Sequence, residues 1–284
     1  MKNLYVIEGA TAVGKTDFAI KKAVEWHTEI ISADSRQFYK ELNIGVARPS
    51  EGELAMVKHH FIANISIFDY YSMSKFEQDV LSLLNDLFKK HDTVIMTGGS
   101  GLYVNAVCNG IDDLPDPDEH IRLQVNEILE KDGIGQLQMM LKVLDPDFFE
   151  QIDLQNHQRL RRAVEVCLQT GKPYSQLRTH PQKKRLFEIE RVMLNRPIAE
   201  IYDRINNRTD VMVERGLLNE AKHLYSHKEL NALKTVGYKE IFEYLDGEIS
   251  LEQAVTDIKT HTRRYAKKQL TWLKRQRIDT VITL

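Results

Sequence analysis

Apolar positions in the first hundred residues follow two different periods. Three short, nearly continuous apolar runs, "LYVIEG" (4–9), "EIISADS" (29–35) and "DTVIMTGG" (92–99), are too brief for helices and read as buried strands. Between them, residues from Lys15 to about Trp26 and the stretch "KFEQDVLSLLNDLFKK" (75–90) place apolar side chains at helical spacing. Strand, helix and strand in this order imply right-handed crossovers and an α/β fold, a parallel sheet with helices on both faces. All strands of such a sheet present their carboxyl ends along one edge, where ligands bind.

The pattern changes near "DDLPDPDEHIRL" (112–123), where Asp116-Pro117 reads as an N-cap with proline in the first helical turn. From there the period is helical only. "EHIRLQVNEILEK", "IGQLQMMLKVL" and "HQRLRRAVEVCLQ" are broken by Gly133, Asp145-Pro146 and Gly171-Lys172-Pro173. Residues 113–186 are therefore expected to be an all-helical insertion in a P-loop-type core made of 1–112 and 187–284. "FEIERVMLN" (187–195) resumes the sheet, two long helical stretches follow, and "DTVITL" (279–284) is expected as an edge strand.

Composition narrows this little. The 284 residues are 42% hydrophobic and 28% charged, with a net charge of −2, so any basic surface has to be local. Cys108 and Cys167 cannot form a disulfide framework and fit no metal spacing. No apolar run reaches the roughly 18 residues of a spanning helix, and the N-terminus enters a strand directly, so a cytoplasmic protein without a membrane partner is expected. Adjacent His59 and His60 in a strand would point to opposite faces, which disfavours their sharing one ion.

The sharpest motif follows the first strand. Gly9, Ala10, Thr11, Ala12, Val13, Gly14, Lys15 and Thr16 satisfy G-x-x-x-x-G-K-[ST], with a strand before and a helix after. Such a loop turns successive N–H groups inward as an anion nest, and the helix dipole adds positive potential. Lys15 supplies a point charge, and the Thr16 hydroxyl can reach Mg²⁺. The loop recognises a chain of phosphates and no base. The acid that a hydrolytic P-loop protein carries at the end of an apolar strand is missing from "DTVIMTGGSG". Asp34, at the end of "IISAD", would instead project at the same sheet edge, where a base could act on a nucleophile beside the phosphates. Asp34-x-x-Gln37 equally reads as a capping box opening a following helix, and the pattern leaves both readings open.

Taken together, "GATAVGKT", "ISADSRQFYKELNIGVARPS", "TGGSGLYV", "LQTGKPYSQL", "KTVGYKEI" and "TRRYAKKQLTWLKR" resemble the tRNA dimethylallyltransferase (tRNA isopentenyltransferase) family, in the family's order and nearly end to end. The resemblance implies transfer of a dimethylallyl group from dimethylallyl pyrophosphate to the exocyclic amine of the adenosine just 3′ of a tRNA anticodon, with Mg²⁺. It implies that Asp34 is the base and that Lys15 and Thr16 hold the departing pyrophosphate with Arg208, or Arg204 four residues before it, beside them. It places tRNA contacts at Asp34, Ser35, Arg36 and Gln37, at Ser100, at Arg122, at Gln158, Arg159, Leu160, Arg161 and Arg162, and at Lys234, Gly237, Tyr238 and Lys239, with Tyr238 available for stacking. Ser100 also reads as a helix N-cap, and the arginines also read as solvated helix faces. Eight cations without an acid between Lys259 and Arg277 suggest an RNA-backbone surface, with Ala266, Leu270 and Leu273 as the docking stripe. The anticodon stem-loop is the expected partner and the chain is expected to be a monomer.

Two departures from the family pattern stand out. Ala10 occupies a usual proline position, which should loosen the loop, and Val46 and Arg48 replace the usual threonine and lysine. A P-loop small-molecule or nucleotide kinase, and a non-catalytic P-loop RNA-binding regulator, are the competing readings.

Overall fold

A computed structural model describes residues 1–179 and 182–284. Six parallel strands, β1 (Asn3–Glu8), β2 (Ile30–Ser32), β3 (His59–His60), β4 (Thr93–Thr97), β5 (Glu188–Asn195) and β6 (Thr280–Thr283), lie in the order β3-β2-β4-β1-β5-β6. The order places β1 centrally, with Ile7 level with Thr97 of β4 and Val192 of β5. Its side chains alternate between two cores, as a pleated strand requires. Leu4 and Val6 join Phe38, Phe76, Val80 and Leu84 on one face, while Tyr5 and Ile7 join Ala19, Ile20, Ala23 and Ile30 on the other. The C-terminal segment does form the edge strand, paired to β5.

Two compact units partition the chain: Met1–Cys108 with Arg185–Leu284, and Asn109–Lys184. Arg185 belongs to the sheet unit because its guanidinium donates to the carbonyls of Ala106 and Val107 and lies 2.6 Å from the buried Glu77 carboxylate. Among its described residues the regular structure of the second unit is helical, and the unit has its own core of Val125, Leu137, Leu141, Phe148, Leu160, Ala163 and Val164. Its first helix, Glu119–Asp132, starts two residues later than Asp116-Pro117 suggests. Asp118 is the cap, accepting the N–H groups of His120 and Ile121 at 2.9 and 3.0 Å. Asp118 can reach two orphan amides, whereas Pro117 lies outside the helix.

The histidines of β3 have separate partners: His59 Nδ1 lies 2.8 Å from the Val57 carbonyl and His60 Nε2 lies 2.6 Å from Glu29. Cys108 and Cys167 are both buried and unbridged. Among the described residues no helix is long and apolar enough to cross a membrane.

Candidate active site

The carboxyl ends of β1, β2 and β4 open into a cavity of 1130 Å³, lined by the phosphate loop, the Asp34–Gln37 turn, Ser100, and residues of the two long C-terminal helices. The helix Lys15–Glu25 begins directly on Gly14, so its unpaired N–H groups face this opening. The loop is braced from behind. Arg204 donates from Nε to the Ala12 carbonyl at 2.7 Å, Arg208 donates to the Thr11 hydroxyl at 2.8 Å, and Arg196 donates to the Val13 carbonyl at 2.8 Å. Both candidate arginines of the helix Ile198–Glu214 thus reach the loop. Arg204 grips its backbone and is exposed, while Arg208 is half-buried and faces the side chain of Thr11. Ala12 sits in the left-handed region at φ 64°, a conformation that costs an alanine about 1 kcal/mol and that the Arg204 bond helps to hold. Ala10 packs under the two long C-terminal helices. It is fully buried against Ile201, Ile205 and Ala266, because a small side chain there lets two helices close over the loop.

Lys15 folds back and donates to the Gly9 and Ala10 carbonyls at 3.0 and 2.9 Å. Burial of the ammonium lowers its pKa to about 8, against the opposing pull of the Asp34 carboxylate and with the help of the Arg208 guanidinium. Burial likewise lowers the pKa of Arg208, again opposed by Asp34. Asp34, Lys15 and Arg208 therefore share one electrostatic neighbourhood, in which one carboxylate faces two partly desolvated cations.

No helix follows Asp34. Its Oδ1 accepts the Arg36 N–H at 3.1 Å and its carbonyl accepts the Gln37 N–H at 3.0 Å, forming a turn, so the capping-box reading fails. The alternative partner explains why: the Gln37 amide donates to the carbonyls of Val46 and Ala47 instead of reaching back to the turn. Gly98 makes the neighbouring approach possible. A Cβ there would stand 2.3 Å from the Ala33 backbone, closer than any side chain tolerates, so β2 and β4 can end in contact only with glycine at 98. That contact sets Ser100 against Ser35. The Ser100 hydroxyl accepts the Ser35 N–H and donates to the Ser35 hydroxyl, both at 3.0 Å. Its backbone carbonyl starts the helix Gly101–Asn109, while its side chain serves the turn and does not cap.

Arg36 joins this turn to the C-terminal motif by donating to the carbonyls of Asn231 and Ala232 at 2.8 and 3.2 Å. Lys234, Gly237 and Lys239 line the same cavity. Tyr238 does not offer a stacking surface. It is fully buried, and its hydroxyl donates to Glu220 at 2.6 Å. Its ring lies under Gly45, where an added Cβ would approach to 2.6 Å. Glu220 also accepts the N–H groups of Ile44 and Gly45 at 2.8 and 3.0 Å, so Glu220 and Tyr238 together pin the loop that carries Val46. Arg48 donates to the carbonyls of Tyr39, Lys40 and Leu42 in the same loop, while Val46 accepts the Gln37 amide through its carbonyl and packs its side chain against the cluster that holds Leu42 and Tyr238. Burial beside a carboxylate keeps the Tyr238 hydroxyl protonated. Tyr238→Phe is expected to lower the unfolding free energy by about 1.5–3 kcal/mol, the value of a hydrogen bond to a charged acceptor. Urea denaturation within about 0.5 kcal/mol of the wild type would contradict this.

Two features had no sequence signal. Gln269, in the helix Leu251–Leu273, accepts the Thr11 N–H at 2.8 Å and donates to the Gly99 carbonyl at 2.8 Å, which ties the phosphate loop to the β4 turn. A second cavity of 370 Å³ beside Gly9 and the Gly98–Gly101 turn has Tyr103, Trp272 and Leu273 in its walls. The basic helix docks as its stripe suggests, with Ala266 and Leu273 buried and Leu270 partly so. Arg264 and Lys268 line the large cavity, whereas Lys259 pairs with Asp210 and Arg263 donates to Asn206.

The remaining candidates belong to the helical unit. Gln158 and Arg159 are exposed on the helix His157–Thr170. Leu160 is completely buried in that unit's core and cannot contact RNA, since it falls on the apolar face of the same helix. Arg122, Arg161 and Arg162 gather around Glu165.

This combination places a strand–loop–helix with G-x-x-x-x-G-K-T spacing beside the Asp34 carboxylate at the carboxyl edge of a parallel sheet. The family described as IPP transferase matches residues 37–276, and the chain belongs to it. A tRNA dimethylallyltransferase of Christiangramia forsetii is 51% identical over 269 residues, covering 95% of this chain and 89% of the relative. The crystal structure of a tRNA isopentenylpyrophosphate transferase from Bacillus halodurans aligns with a TM-score of 0.70 at 34% identity, over 99% of this chain and 89% of the other. A eukaryotic dimethylallyltransferase acting on tRNA aligns with a TM-score of 0.78 at 26% identity, over 96% of this chain and 70% of the other.

Proposed function

We propose that this protein transfers a dimethylallyl group from dimethylallyl pyrophosphate to a tRNA adenosine and releases pyrophosphate, acting on the exocyclic amine of the base 3′ of the anticodon. The observation that carries the reading is the placing of Lys15, Arg208 and Asp34 around one cavity at the carboxyl edge of the sheet, in a chain whose relatives bear that activity in their names.

Breaking the allylic C–O bond builds negative charge on the leaving diphosphate. The phosphate-loop amides, Lys15 and Arg208 stabilise that charge most where it is greatest, in the transition state. Lys15 exchanges its bonds to the Gly9 and Ala10 carbonyls for the diphosphate oxygens. The allyl chain lies toward the second cavity, next to Gly9 and the aromatic wall. The adenine amine is a weak nucleophile because its lone pair is delocalised into the ring. On attack it sheds a proton, and Asp34 accepts it. The base leaves the anticodon-loop stack to reach the site, at a cost of about a few kcal/mol, and the cations of the cavity rim hold the RNA backbone.

Thr16 lines the cavity on the first turn of the helix Lys15–Glu25. This fits Mg²⁺, which is held in phosphate sites by one hydroxyl or carboxylate, substrate oxygens and water. Bound there through Thr16, it would neutralise charge on the diphosphate.

Incubating the protein with unmodified tRNA and dimethylallyl pyrophosphate, followed by nucleoside mass spectrometry, is expected to yield an adenosine carrying one added dimethylallyl group. Its absence from every tRNA of a complete pool would refute the reading. The Lys15 pKa of about 8 adds a pH signature. The ammonium is present below that value and lost above it, so kcat/KM for dimethylallyl pyrophosphate is expected to fall above about pH 8. A profile flat to pH 9.5 would show that the Lys15 charge does not matter to capture.

A further inference from the structure

Burying a carboxylate in a small helical core needs a reason. Glu165 is 1% exposed on the helix His157–Thr170, between Val164 and Val166. An apolar side chain at such a position is commonly as stabilising or more so, because desolvating the charge costs several kcal/mol. Three guanidinium groups of the same unit converge on it. Arg122 Nε and Arg161 Nε lie 3.5 and 3.6 Å from Oε1, and Arg162 Nη1 lies 3.6 Å from Oε2. Each arginine still presents a face to solvent, with side-chain exposures of 36%, 35% and 27%.

The contacts have the length of charge contacts, and neither Glu165 oxygen accepts a hydrogen bond among the described residues. Position is fixed by other acceptors as well. Arg161 donates to Asn126 Oδ1 at 3.0 Å, and Arg162 donates to the Pro115 carbonyl at 2.6 Å. The buried acid offsets part of the positive charge of the three guanidinium groups, so it suppresses their mutual repulsion on a half-exposed patch. Planar guanidinium groups held in place are what recognition of RNA phosphate requires, since long side chains otherwise lose rotamer freedom on binding.

We infer that Glu165 is a positioning residue for tRNA capture: it holds Arg122, Arg161 and Arg162 as a preformed fan for backbone phosphates, without touching RNA itself. This inference rests on the proposed function.

Charge and position make opposite predictions, which allows a decisive test. Glu165→Gln keeps the shape but removes the negative charge. If only net charge governed tRNA attraction, the variant would bind tRNA more tightly. If Glu165 sets the geometry, the fan splays and tRNA KM rises about tenfold. In that case kcat and the KM for dimethylallyl pyrophosphate stay within about twofold, and Glu165→Asp gives an intermediate tRNA KM. An unchanged or lowered tRNA KM in a folded E165Q overturns the inference. If circular dichroism shows that E165Q does not fold, E165D decides by the same criterion: a selective rise in tRNA KM supports the role, and wild-type kinetics overturn it. Wild-type enzyme in the same assay reports on the proposed function separately. If it prenylates no tRNA, that reading fails and this one with it, whatever the variants do.

Discussion

Asp34→Asn is expected to lower kcat by about 10³-fold, within the range for removal of a general base, and to leave tRNA affinity within about threefold. The geometry makes this substitution unusually clean. The carboxylate's structural bond is acceptance of the Arg36 N–H, which an asparagine Oδ1 can also make. The turn is held in addition by Arg36 on the Asn231 and Ala232 carbonyls and by Gln37 on the Val46 and Ala47 carbonyls. What disappears is a charge and a proton acceptor. Because the Asp34 carboxylate raises the pKa of Lys15, the variant's residual activity should lose its alkaline limb at a lower pH than the wild type. Single-turnover prenylation and filter binding of tRNA measure the two effects separately. A D34N enzyme within tenfold of wild-type kcat would remove Asp34 from the chemistry.

Lys15→Ala is expected to reduce kcat/KM for dimethylallyl pyrophosphate by about 10²–10³-fold, the cost of losing one charged stabiliser of a developing anion. The change in tRNA affinity should be small. Lys15 makes its two bonds to carbonyls of its own loop, and the loop keeps its brace from Arg196, Arg204 and Arg208, so the cradle survives without the ammonium. Equal losses for the two substrates would mean that the loop binds RNA, as a non-catalytic P-loop regulator would use it.

The sheet, apart from its two-residue edge strand His59–His60, and the phosphate loop were legible because their signals are local. A buried parallel strand is a short apolar run, and the loop is a fixed spacing of glycine, lysine and threonine ending one strand. Asp34 was legible as a residue but not in conformation. The same Asp-x-x-Gln spacing serves a helix cap or a turn, and the choice was made by loop carbonyls at Val46 and Ala47 that compete for the Gln37 amide. Tyr238 and Leu160 were misread for a shared reason. A motif marks a stretch, while burial alternates within it: Lys239 lines the cavity and Tyr238 is the strut beneath the facing loop. Gln269, Glu220 and Glu165 carry no sequence signal, since each acts through partners distant in the chain or through a convergence that only packing creates. The first helix of the helical unit was read two residues early because Asp116-Pro117 and Asp118 both resemble caps, and only the amides of His120 and Ile121 choose between them.

The central claim is that the glycine-rich loop holds a diphosphate that departs as a neighbouring nucleobase captures its carbon partner. The most direct measurement follows pyrophosphate release and alkylated adenosine together, in reactions with dimethylallyl pyrophosphate, unmodified tRNA and Mg²⁺, with and without ATP. The account predicts one pyrophosphate per modified adenosine, dependence on tRNA, and no requirement for ATP. Transfer of the terminal phosphate of ATP, with no alkylated RNA formed, would contradict it.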